Sequence, residues 1–133
     1  MPGMNDRFQS QGLSLACHIA YPSDDAQPSP GIILCHGFPI GPLDAQLSAG
    51  TFPQLIDRIS RQLDCVAMTF NFRGCGESAG NFSLQGWVDD LRNAIAHLHK
   101  VSNPNGVILL GTNTGGSIAV CVGADDPNVT AVG

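Results

Sequence analysis

Four apolar residues, Val107-Ile108-Leu109-Leu110, run into Gly111-Thr112-Asn113-Thr114-Gly115-Gly116 and then into small and apolar residues through Ala124. A buried strand, a glycine-framed turn and a closely packed helix read in this way. A residue at so sharp a strand-to-helix turn has a strained backbone, and its neighbours must be small; Gly111 and Gly115 stand in those flanking places. The helix that follows aims its free N–H groups and its positive dipole end at the turn, where an oxyanion developing from a carbonyl is stabilised. Asn113 holds the middle position. Asparagine tolerates left-handed backbone angles, but its amide nitrogen is no nucleophile. These residue types suit the binding of an oxyanion or carbonyl oxygen at the turn, with a non-nucleophilic side chain at its tip; the plainer alternative is an ordinary glycine-rich loop.

Two further segments follow apolar runs in the same manner. His36-Gly37-Phe38-Pro39 comes after Gly31-Ile32-Ile33-Leu34-Cys35, and Arg73-Gly74-Cys75-Gly76-Glu77-Ser78 comes shortly after Cys65-Val66-Ala67-Met68-Thr69-Phe70. The remaining histidines, His18, His97 and His99, fall within an early strand or a long helix and read as structural. Thr112, Thr114 and Ser117 carry hydroxyls near the turn, but Ser117 falls inside the helix rather than at its tip.

The elements that position these segments alternate. Strands are expected near 7–9 and over 13–21, separated at Gly12, and an apolar strand over 31–35 reads as central. A helix over 52–63 places Phe52, Leu55, Ile56, Ile59 and Leu63 on one face, with Thr51 as its cap. A second helix over 84–101 has Ser83 as cap and sets Leu84, Trp87, Val88, Leu91, Ile95 and Leu98 on one face, leaving Asp89, Asp90, Arg92, Asn93 and Lys100 to its other faces. Residues 129–132 begin a last strand. This rhythm predicts a mostly parallel sheet with helices on both faces, and ligands bind such sheets at the carboxyl ends of the strands. The His36, Arg73 and Asn113 segments should therefore share one rim.

The bulk properties are compatible with this. The chain has 133 residues, 43% of them hydrophobic and only 13% charged, which suits one α/β domain over 1–133. A formal net charge of −5 argues against a nucleic-acid or anionic-membrane partner, and no apolar run approaches the ~20 residues of a membrane span. Five cysteines, with no C-x-x-C pair, read as structural thiols in a reducing cytoplasm, with Cys75 the one expected at the surface. No metal or cofactor is expected.

The three segments, in this order and each after its own strand, resemble the N-terminal half of the α/β-hydrolase superfamily, over roughly residues 7 to 133. The third resembles that family's nucleophile elbow, G-x-S-x-G, with Asn113 at the serine position. The resemblance implies a partial α/β-hydrolase fold lacking its C-terminal strands, and hence a truncated domain. It implies an oxyanion hole built from the backbone N–H groups of Phe38 and Thr114. It gives motif or structural roles to His36, Gly37, Arg73, Gly74, Gly76, Ser78, Gly111 and Gly115, and it places the triad acid and histidine on later strands. The implied function is that of a lineage hydrolysing esters, thioesters or amides of small molecules, inactive as this chain alone. The alternatives are a non-catalytic binding protein, whose partner is a small carbonyl compound or another protein, or a gene fragment without independent function. Self-association through the exposed sheet edge at 129–132 is also expected.

Overall fold

The computed structural model describes residues 3–37 and 50–133. In chain order the elements are β1 (Met4–Ser10), β2 (Leu13–Ala20), β3 (Gly31–Cys35), α1 (Phe52–Leu63), β4 (Ala67–Phe70), α2 (Leu84–Ser102), β5 (Val107–Gly111), α3 (Thr114–Asp125) and β6 (Val129–Val132). The six strands form one sheet in the order β1-β2-β4-β3-β5-β6. β1, β2 and β4 pair antiparallel, whereas β4, β3, β5 and β6 run parallel, so the sheet is mixed and mostly parallel.

The β1–β2 hairpin closes at Gln11 and Gly12, whose φ angles of 51° and 81° are those of a turn matched to the right-handed twist of the strands. β3 lies in the middle of the sheet and is buried along its whole length. Its alternation sorts two cores. Ile33 and Cys35 join Leu15, Met68, Phe70, Trp87, Leu91 and Ile118 under α2 and α3, while Ile32 and Leu34 join Ala20, Ala67 and Ile56 under α1. Both faces are therefore covered by helix.

The helix ends differ from one another. The Ser83 side chain accepts from Gly86 N–H at 3.0 Å and caps α2. Thr51 does not cap α1: its backbone is already helical, and its side chain makes no capping bond. A threonine in helical φ/ψ is past the cap position, where its oxygen cannot swing back to the first N–H groups.

Asp90 departs furthest from the helical-wheel reading, for it is fully buried rather than on a polar face of α2. Arg73 explains this. Its Nη2 lies 2.8 Å from Asp90 Oδ1, its Nε donates to the same carboxylate, and its backbone N–H donates to Oδ2 at 2.9 Å. The Ser10 hydroxyl donates to Oδ1 at 2.7 Å. One carboxylate thus ties β1, the turn after β4, and α2. The Asp90 hydrogen bond, more than any other influence, raises the Arg73 pKa above its ordinary value. Gly86 makes room for the pair, since a Cβ there would come within 2.6 Å of Arg73 Nε.

Removing one member strands the other's charge in the interior, at a cost of about 3–5 kcal/mol. Arg73→Ala and Asp90→Ala should each lower the urea midpoint accordingly. The joint Arg73→Met/Asp90→Leu replacement should cost much less than the sum of the two. Additive losses in this cycle would show that the ion pair is not the coupling element.

Candidate active site

β5 carries the chain to the carboxyl edge of the sheet, and Asn113 reverses it into α3. Asn113 sits at φ 51°, ψ −123°, outside both the left-handed helical and the ordinary strand regions, and is exposed at the rim. Such a conformation persists only when its surroundings enforce it. Here they are backbone. A Cβ on Gly115 would lie 2.6 Å from Cys35 O and clash with His36 O, and a Cβ on Gly111 would lie 2.6 Å from Gly116 N. Thr112 N–H donates to Cys35 O at 3.1 Å, and Ser117 N–H to Asn113 O at 3.1 Å. Gly37 completes the contact from the β3 side, where a Cβ would meet Thr112 O at 2.9 Å and Asn113 Cβ at 3.0 Å.

The N–H groups of Thr114 and Gly115 open α3 and donate to no acceptor among the described residues. With the positive end of the helix dipole behind them, they form an anion-receptive corner beside Asn113. Phe38, the other expected oxyanion donor, lies outside the described residues.

His36 is buried at the same rim. Its Nε2 accepts from Phe72 N–H at 3.1 Å, which fixes the proton on Nδ1, and Nδ1 donates to Gly37 O at 2.7 Å. The ring stands edge-on to Phe72 and Trp87. Burial holds its pKa below the ordinary value, partly offset by the Gly37 bond. With both nitrogens engaged and the neutral form favoured, His36 is a bracket between the ends of β3 and β4, not a base.

The Arg73 segment forms the next part of the rim. Trp87 Nε1 donates to Arg73 O at 3.1 Å. Ser78 Oγ donates to Asn71 O at 2.6 Å and accepts from Ala16 N–H at 2.9 Å, closing a turn in which Gly74 and Gly76 take φ of 80° and 51°. Arg73 and Ser78 therefore spend their polar groups inside the fold.

The other histidines are engaged elsewhere. His18 contacts Asn5 and Asp57, each at 2.8 Å, His99 Nδ1 contacts Ile95 O, and His97 stacks on Phe8. A cavity of about 500 Å³ lies away from the elbow, lined by Arg7, His18, Pro53, Thr69 and Asn71 among others. Among the cysteines the exposed one is Cys121, on the outer face of α3, while Cys75 is half-buried. α3 is small and apolar all round, so its sequence gives no sign of which face turns outward.

Two measurements test this site. Asn113→Gly relieves a conformation that only glycine adopts readily, and should raise stability by roughly 1 kcal/mol; a loss would mean that the asparagine side chain itself holds the turn. His36 supplies the second. Unfolded, it protonates near 6.5, its ordinary value, and folded only at lower pH. Between those values the unfolded chain binds the extra proton, so the His36 contribution is complete above pH 6.5 and is lost as pH falls through the interval. His36→Asn should remove that part of the pH dependence of the urea midpoint; an unchanged profile would refute the neutral bracket.

No family model matches the chain. It is 36% identical over 76 residues to an uncharacterized protein, YfhR, of Salmonella typhimurium, an alignment spanning 47% of this chain and 26% of that protein. Among solved structures, the α/β hydrolase GrgF of a Penicillium species superposes with a TM-score of 0.80 at 20% identity, over 99% of this chain and 45% of GrgF. Est1E of Butyrivibrio proteoclasticus, solved with ferulic acid bound, gives 0.76 at 16% identity, over 96% and 50%. XC6422 of Xanthomonas campestris, described as a serine hydrolase without lid, gives 0.68 at 21% identity, over 93% and 56%. The chain thus spans about a quarter of the curated relative and about half of these structures. The six-stranded mixed sheet with its β5–α3 turn is a partial α/β-hydrolase fold.

Proposed function

We propose that this chain derives from a lineage acting on ester, thioester or amide bonds of small molecules, and that its elbow binds a small carbonyl compound without attacking it. One observation carries the reading. The elbow has a strained backbone and Thr114 and Gly115 N–H groups that meet no acceptor among the described residues, while the exposed residue at its tip is an asparagine. A carbonyl oxygen seated on those donors is polarised, as in acyl transfer. With a carboxamide at the tip, no covalent intermediate follows. Phe38 N–H is proposed as a further donor, paired with Thr114. That XC6422 is described as a serine hydrolase and GrgF as an α/β hydrolase supports the lineage.

Fluorophosphonate probes require an activated hydroxyl, so intact-mass spectrometry of this chain should show no stoichiometric adduct. In Asn113→Ser the new hydroxyl gains no base from His36, whose ring nitrogens are both engaged, and hydrolysis of an activated ester should stay at background. A single adduct on Ser117 or Thr114, or brisk turnover by the serine variant, would overturn the non-catalytic reading. Binding itself is read by titrating a short-chain carboxylate, an anionic mimic of the oxyanion. Amide shifts should concentrate at Thr114 and Gly115, and their absence would remove the binding role.

A further inference from the structure

On the sheet face covered by α2, well separated in sequence from the elbow, three side chains of metal-ligating type converge. Asp6 on β1 and Cys17 on β2 are register partners, so both project to the same side of the hairpin. His97 reaches down from α2. The carboxylate oxygen, thiol sulfur and imidazole nitrogen all lie within 4.8 Å of one another. No two of these residues are close in sequence except through the hairpin, and for that reason no C-x-x-C or H-x-x-x-H spacing betrays them.

The ligand atoms are poised individually. His97 is stacked on Phe8 at 5.5 Å and 23° between planes, which fixes the direction of its ring. Its Nε2 is buried and has no hydrogen-bond partner among the described residues; the nearest charge is Asp6 Oδ2 at 3.4 Å. Asp6 Oδ1 is occupied by Arg7 N–H at 2.8 Å, leaving Oδ2 toward the imidazole. The Cys17 thiol is buried beside them. A buried imidazole nitrogen without a partner is costly, and a thiol facing a carboxylate offers it no relief. A divalent cation satisfies all three at once.

We infer that Asp6, Cys17 and His97 form a site for a thiolate-accepting divalent cation of the zinc class, pinning the β1–β2 hairpin to α2. Sulfur, nitrogen and oxygen donors together suit zinc rather than calcium or magnesium, and water fills the fourth tetrahedral position from the exposed Asp6 side. The charges balance: carboxylate and thiolate neutralise the cation, and the Cys17 S–H bond gives its proton to solvent as the S–metal bond forms. The neutral His97 contributes its Nε2 lone pair, so its ring proton sits on Nδ1. This site is independent of the elbow and of the function proposed for it.

Cobalt(II) is the probe, added to the reduced full chain. We expect one equivalent to bind with a thiolate-to-cobalt charge-transfer band and tetrahedral visible bands, releasing protons, and zinc to displace it. Cys17→Ser should abolish the charge-transfer band, whereas Cys121→Ser, which removes the exposed thiol, should leave it intact. Asp6→Asn alters a surface carboxylate and should leave the fold's circular dichroism unchanged. As loss of a direct ligand, it should weaken binding beyond the roughly 10- to 100-fold carried by outer-shell partners. Absence of the band in the unaltered chain, its persistence in Cys17→Ser, or full affinity in Asp6→Asn would each overturn the site.

Discussion

The close approach of two backbones governs the candidate active-site rim. α3 begins almost in contact with the carbonyl end of β3, and Gly115 leaves no room for a side chain against Cys35 O and His36 O. From this contact follow the φ of 51° at Asn113, the Thr112–Cys35 hydrogen bond and the direction in which the first N–H groups of α3 point. Strain of this kind, of order 1–3 kcal/mol, survives because the neighbouring strands over-determine it. The rim is thus a property of packing between β3, β5 and α3, and the identity of the residue at its tip is secondary to its shape.

Two buried polar devices hold the remainder of the rim against that contact. The neutral His36 bridges Phe72 N–H and Gly37 O, joining the ends of β3 and β4. Arg73 and Asp90 then join the turn after β4 to α2 and, through Ser10, to β1. Both ring nitrogens of His36 and both carboxylate oxygens of Asp90 are engaged, as buried polar groups must be. The same economy explains why the motif residues are chemically quiet: their donors and acceptors are consumed in construction, leaving the α3 N-terminus as the receptive part of the rim.

The tip of the turn combines an exposed asparagine with a strained backbone. The geometry presents the Thr114 and Gly115 N–H groups, which meet no acceptor among the described residues, beside that exposed carboxamide. These are hydrogen-bonding groups suited to a carbonyl or carboxylate. The fold neighbours preserve the same architecture at 13–22% identity, which is what constraint by backbone packing rather than by side-chain chemistry produces.

Much of this architecture was legible in the residues alone. Uninterrupted apolar runs marked β3 and β5, helical spacing marked α1 and α2, and Ser83 marked the start of α2, because these signals are local and each residue's preference agrees with its surroundings. The glycine frame around Asn113 announced a tight turn for the same reason. Tertiary structure decided what depends on partners distant in the chain. Asp90 looks solvated on a helical wheel and is buried because Arg73, 17 residues earlier, meets it. Cys121 looks interior and is exposed because α3, apolar on every side, has only one face against the sheet. Asp6, Cys17 and His97 come together only when the hairpin docks on α2. A local pattern fixes the conformation of a segment; the partner of a buried charge, or of an orphaned imidazole nitrogen, is fixed only when segments pack.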